Sequence, residues 1–146
     1  MKRLVVDMYF HKYSHFKEWC NKQVGFDQDG WQLDKDILVK GNKVYSPNTC
    51  VFVPKEINCL IIHRKSVRGE YPIGVTFDPK IGKFRSQMNR GGKKTHMGLF
   101  SYPEEAFYAY KEAKEDYIKE VANKWKDQID HRVYKALMNY QVEITD

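Results

Sequence analysis

The sequence predicts an α+β fold: a small, irregular ββα-like N-terminal region followed by a three-stranded antiparallel sheet packed on one long helix. Three observations carry this. Lys83-Phe-Arg-Ser-Gln-Met-Asn89 alternates residue by residue, the period of a strand with one covered face. Arg90-Gly-Gly-Lys93 follows at once and supplies the two glycines that a tight hairpin turn takes. Ala106, Phe107, Tyr110, Ala113, Tyr117, Ile118 and Val121 then form one apolar helical stripe.

The remaining elements follow in order. Ser14 to Gln23 reads as a short helix, with Ser14 as cap and Phe16, Trp19, Cys20 and Gln23 near helical spacing. Gly25 and Asp27-Gln-Asp-Gly30 end it. Trp31 to Leu60 has short apolar runs cut by turn residues, which predicts a two-strand hairpin or extended loop, then a short helix around Lys55 to Ile62. The basic, polar run from His63 to Glu70 reads as a linker. Ile73-Gly-Val-Thr-Phe77 is the first strand of the sheet, Asp78-Pro-Lys-Ile-Gly82 a turn, and Lys94 to Phe100 the third strand. Ser101, Pro103 and Glu104 have the order of a capping box at the start of the long helix. A second helix is expected around Arg132 to Asn139.

At 146 residues the chain can build one ordinary domain or two very small ones, and we place the boundary between residues 1–66 and 67–146. The formal net charge of +6 favours a polyanionic partner, nucleic acid above all. No stretch approaches the ~20 apolar residues that cross a membrane, and the start, MKRLVVDMYFHKYS, reads as no signal peptide. Three cysteines (Cys20, Cys50 and Cys59) without a C-x-x-C pair fit buried free thiols in a reducing cytoplasm rather than a disulfide scaffold or zinc cage. His11 and His15 stand at i and i+4, a spacing that places two metal ligands on one helix face, but no third ligand is evident. No phosphate-loop, dinucleotide or nucleophile-elbow motif occurs.

The sheet carries the functional expectation. If Phe84, Ser86 and Met88 face the helix, then Arg85, Gln87 and Asn89 face outward, joined from the third strand by Lys94 and His96. These are donors and amides, read here as free of carboxylates. Arg reads guanine and Gln or Asn reads adenine from strands laid in the major groove of double-stranded DNA. The turn Arg90 to Lys94 adds charge for phosphates. A plain solvated polar face is the alternative.

Four blocks here resemble the Apetala-type (ethylene-response-factor-like) DNA-binding domain: Ile73-Gly-Val75, Gly82-Lys-Phe-Arg-Ser-Gln-Met88, Met97-Gly-Leu-Phe100 and Glu104-Glu-Ala-Phe-Tyr-Ala-Tyr-Lys-Glu-Ala113. They occur in the family's order, within residues 71–117. The resemblance implies major-groove binding by the sheet, with contacts at Thr76, Arg85, Gln87, Asn89, Lys94 and His96.

The blocks Leu33-Asp-Lys-Asp-Ile37, Gly41-Asn42 and Tyr45-Ser-Pro-Asn-Thr-Cys-Val-Phe-Val-Pro-Lys-Glu-Ile-Asn58 are similar to the metal-finger region of phage HNH homing endonucleases, which often join that finger to an Apetala-type domain. The resemblance implies a phage-encoded protein of the host cytoplasm, with Mg2+ or Mn2+ as cofactor. It implies metal ligands at Asp34 and Asn58 and catalytic positions at Lys35, Asp36 and Thr49 (or its neighbour Asn48). The chemistry needs a divalent metal at the scissile phosphate and a neutral base for the attacking water. Lys35 stands where the family has its base histidine, and an exposed lysine is protonated at neutral pH; Asp36 is then the remaining weak base or second ligand. The structural alternative makes Asp34 and Asp36 turn residues and Asn58 a helix bracket. Three functions stay open on the sequence: a metal-dependent DNA nickase, a DNA-binding regulator that does not cut, and a phage protein that binds and inhibits a host protein.

Overall fold

A computed structural model describes residues 4–61 and 69–146; the part of the expected linker from His63 to Arg68 lies outside the described residues. In chain order the elements are β1 (Val5–Val6), α1 (Met8–His11), α2 (Tyr13–Asn21), β2 (Gln32–Asp34), β3 (Val44–Tyr45), β4 (Val51–Val53), α3 (Lys55–Leu60), β5 (Val75–Asp78), β6 (Lys83–Arg90), β7 (Lys93–Phe100), α4 (Pro103–Trp125) and α5 (His131–Met138). They form two compact units, Met1–Ile62 with Val121–Asn139 and His63–Glu120 with Tyr140–Asp146. Residues 121–139 therefore group with the N-terminal unit, where a single cut at residue 66 had set them apart.

In the N-terminal unit, β2 pairs antiparallel with β4 (Leu33 opposite Phe52), and α3 follows. This is the strand–strand–helix order expected. Two-residue β1 and β3 add a parallel pair. Strands this short hold few hydrogen bonds, so packing must fix them. Cys50, Val51, Val53, Ile57 and Leu60 are buried, and Phe10, Phe16, Trp19, Phe52 and Phe26 form a run of ring contacts. The first helix departs from expectation. It opens at Tyr13 with Lys12 in the cap position and Ser14 inside, and the separate turn α1 precedes it. Lys12 has extended backbone, which breaks the helix between His11 and His15 and takes them off any common face. His11 Nε2 lies 3.0 Å from the Val6 carbonyl and His15 stacks on Tyr9.

In the second unit, the three-stranded antiparallel sheet β5-β6-β7 packs against the long helix α4. Val75 and Met88 from the sheet, Ala106, Phe107 and Tyr110 from α4, and Val142 from the C-terminal segment form its core, flanked by Phe84, Met97, Phe100, Ala113 and Tyr117. Pro103 takes the first helical position of α4, and the Tyr102 carbonyl accepts the Ala106 amide. The cap is thus Tyr102, one residue later than the expected Ser101. Gly91 and Gly92, at φ 58° and 87°, occupy the two turn positions between β6 and β7, a geometry that a side chain resists.

Ser86 sits fully buried on the covered face of β6, and its hydroxyl has no hydrogen-bond partner among the described residues. Desolvating a hydroxyl without a partner is unfavourable. Ser86→Ala is expected to stabilise the unit by about 1 kcal/mol, read as a higher midpoint of urea unfolding by circular dichroism. A loss of stability would mean that the hydroxyl has a partner.

Candidate nucleic-acid interface

The pairing register decides what the open face of the sheet presents. Directly opposed residues share a face. Thr76 pairs with Arg85, and Arg85 with Leu99; Gln87 pairs with His96, Asn89 with Lys94 and Asp78 with Lys83. The six expected contact residues, Thr76, Arg85, Gln87, Asn89, Lys94 and His96, therefore stand on one face, away from buried Ser86 and Met88. Thr76, Asn89, Lys94 and His96 are exposed; Arg85 and Gln87 are half-buried.

Two residues on this face were not foreseen. A register shift at Ser86/Gln87 leaves Met97 without a partner on β6, so that Ser86 faces Gly98 while Gln87 faces His96. Met97 packs on the core, and Leu99, 42% exposed, comes round beside Arg85. A bulge depends on three-dimensional pairing and leaves no periodicity to read. The other is Asp78. It was read as a turn residue, and its Oδ1 does accept the amides of Lys80 at 3.0 Å and Ile81 at 3.4 Å. Its Oδ2, however, receives Arg85 Nη2 at 2.6 Å. The face is thus not free of carboxylates. The pairing follows from the strand period, since Asp78 opposes Lys83, two residues from Arg85 on the same side.

The turn is also less free for phosphate than expected. The Arg90 guanidinium is bound by Glu120 and lies 5.0 Å from the centre of the Tyr117 ring. Lys93 and Lys94 are exposed.

The five residues implied as a nuclease site fall elsewhere, in the N-terminal unit. Asp34 is buried at the end of β2, and its Oδ2 accepts the amides of Asp36 at 2.9 Å and Ile37 at 2.7 Å. This is an Asx turn, a carboxylate shaping its own backbone. Burial pushes its pKa up to about 6, and the nearby Asp36 charge adds to the rise against the two amides. The Lys35 ammonium lies 3.9 Å from Asp36 Oδ2 and 5.7 Å from the Tyr45 ring centre. Thr49 donates to the Val44 carbonyl at 3.2 Å and shares a hydrogen bond with Ser46. Asn58 donates to Gln32 Oε1 at 2.5 Å.

Asn42 braces the loop between β2 and β3. Its amide nitrogen donates to the carbonyls of Lys35 (2.7 Å) and Val44 (2.9 Å), and its oxygen accepts the Val44 amide (3.3 Å). One side chain thereby ties the two ends of the loop together. An Asn after a turn glycine is the signal that could have found it.

Of these residues Asp34 is the buried carboxylate, and one of its oxygens is already engaged by backbone amides. Mg2+ asks for converging oxygens in near-octahedral array. Asp34 Oδ2 is committed to two amides and an ammonium faces Asp36, whereas Asn58 donates only its amide nitrogen to Gln32 and keeps its oxygen open. Among the described residues no three His, Cys, Asp or Glu side chains gather as a metal group. No protein-family model, no curated protein and no solved structure matches the chain.

Proposed function

We propose that the protein binds double-stranded DNA through the open face of the sheet β5-β6-β7, with DNA binding rather than cleavage as its activity. The observation that carries this is the pairing register, which gathers Arg85, Gln87, Asn89, Lys94 and His96 with Thr76 on one face. Alternate residues of β6 stand about 6.7 Å apart, about two base-pair steps of ~3.4 Å. The side chains are the types that read base edges, and Lys83, Lys93 and Lys94 are exposed around them for phosphates. The net charge of +6 and the order of the four Apetala-like blocks support the same reading.

Arg85→Ala is expected to weaken binding to a preferred duplex by about 1–3 kcal/mol, and Lys94→Ala to weaken all duplexes alike while lowering the slope of log affinity against log salt by about 1. Fluorescence anisotropy across a salt series measures both. Salt-insensitive binding, or variants indistinguishable from wild type, would remove the face from the interface. Incubation with supercoiled plasmid and Mg2+, Mn2+ or EDTA tests cleavage beside it; metal-dependent nicking that Asp34→Ala abolishes would restore the nuclease reading.

A further inference from the structure

We infer that Asp78 is a positioning residue that turns Arg85 from a general DNA cation into a reader of guanine. The inference rests on the DNA-binding reading above and names how that face selects a base. Asp78 is fixed from both sides: its Oδ1 holds the amides of Lys80 and Ile81, its carbonyl accepts the Gly82 amide at 2.8 Å, and its Oδ2 takes Arg85 Nη2 at 2.6 Å. The carboxylate cannot swing away without undoing the β5–β6 turn. Arg85 is thereby held over the sheet between Thr76 and Leu99, neither of which carries charge.

A guanidinium has five N–H donors, and one contact at Nη2 leaves a hydrogen on each terminal nitrogen. One bidentate edge of the guanidinium therefore stays open, and such a fork matches O6 and N7 of guanine. A long side chain surrenders rotamer freedom when it reads a base, and here Asp78 has already restricted it. The same carboxylate opposes the attraction of phosphates, because it cancels charge on the face that meets DNA. The arrangement lowers indiscriminate affinity and raises discrimination. A salt bridge serving only the fold would change neither base preference nor affinity for random DNA in this opposed way.

The test is selection from a random-sequence duplex pool with wild type, Arg85→Ala, Arg85→Lys and Asp78→Asn, alongside the affinity of each for the unselected pool. Asparagine keeps an oxygen for the turn amides, and Arg85→Lys keeps the charge but not the fork. Wild type is expected to enrich a guanine position roughly ten-fold that Arg85→Ala and Arg85→Lys both lose. Asp78→Asn is expected to lose that same position, to keep the others, and to bind the unselected pool at least as tightly as wild type. Retention of the guanine position in Asp78→Asn would overturn the inference and leave DNA binding standing. So would a wild-type preference that Arg85→Ala leaves intact. A wild type that enriches no sequence and binds the pool without salt dependence would overturn both readings together.

Discussion

Raising the pH from 4 to 7 is expected to remove about 2 kcal/mol of stability from the unit that contains Asp34, and Asp34→Asn to abolish that loss. The sign comes from the direction of the shift. Burial holds the Asp34 carboxyl at a pKa of about 6, above its ordinary value near 4. Between those values the folded state binds more proton than the unfolded state, so stability is fully present below pH 4 and falls as pH rises through 6. Glu56 and Asp130 are shifted down, by Lys124 and Arg132, and their contributions run the other way, present above their ordinary values and lost on acidification. An asparagine at position 34 offers the amides of Asp36 and Ile37 the same acceptor without a buried charge. Trp19, Trp31 and Trp125 all belong to this unit, so tryptophan fluorescence in urea reports on it selectively. Parallel curves of stability against pH for wild type and Asp34→Asn would refute the assignment. The experiment also probes metal binding: a true Mg2+ ligand at Asp34 would make Mg2+ raise the wild type's stability at pH 7 and leave the variant's unchanged.

The sheet and its helix were legible because their periods are long and unmixed. Seven alternating residues from Lys83 to Asn89 admit one strand, and the stripe from Ala106 to Val121 admits one helix. Outward-facing residues on β6 follow directly. What failed were features set by partners rather than by period. Leu99 joins the face only because the bulge at Met97 reverses the alternation of β7, and Asp78 was absorbed by its turn although its second oxygen serves Arg85. In the N-terminal unit the strands are two or three residues long, too short to show a period, so α1 went unseen and the resemblance stood in for geometry. Asp34 carries the resemblance to a finger by its place in the sequence, while burial and backbone amides, invisible in a linear reading, engage it in a turn.

Gly74→Ala is expected to destabilise the sheet unit by about 2–5 kcal/mol and, by unfolding it, to remove the DNA binding proposed for that unit. Two separate penalties combine. Gly74 has φ 79°, a left-handed backbone that costs an L-residue roughly 1–2 kcal/mol. A Cβ there would also lie 2.1 Å from Cδ2 and 2.3 Å from Cγ of Tyr110, a ring only 6% exposed in the core and so unable to swing into solvent. Such overpacking adds about 1–3 kcal/mol. The consequence reaches the proposed interface through one hydrogen bond, because the Gly74 carbonyl accepts the Gln87 amide at 2.9 Å just where the bulge begins. A double variant separates the penalties. Tyr110→Ala by itself leaves a cavity, and the added Cβ at position 74 would then enter empty space. Gly74→Ala with Tyr110→Ala should therefore be less destabilised than the sum of the two single changes, with the backbone cost of roughly 1–2 kcal/mol left over. Circular dichroism in urea measures each variant, and strictly additive values would show that Tyr110 is not what excludes a side chain at Gly74.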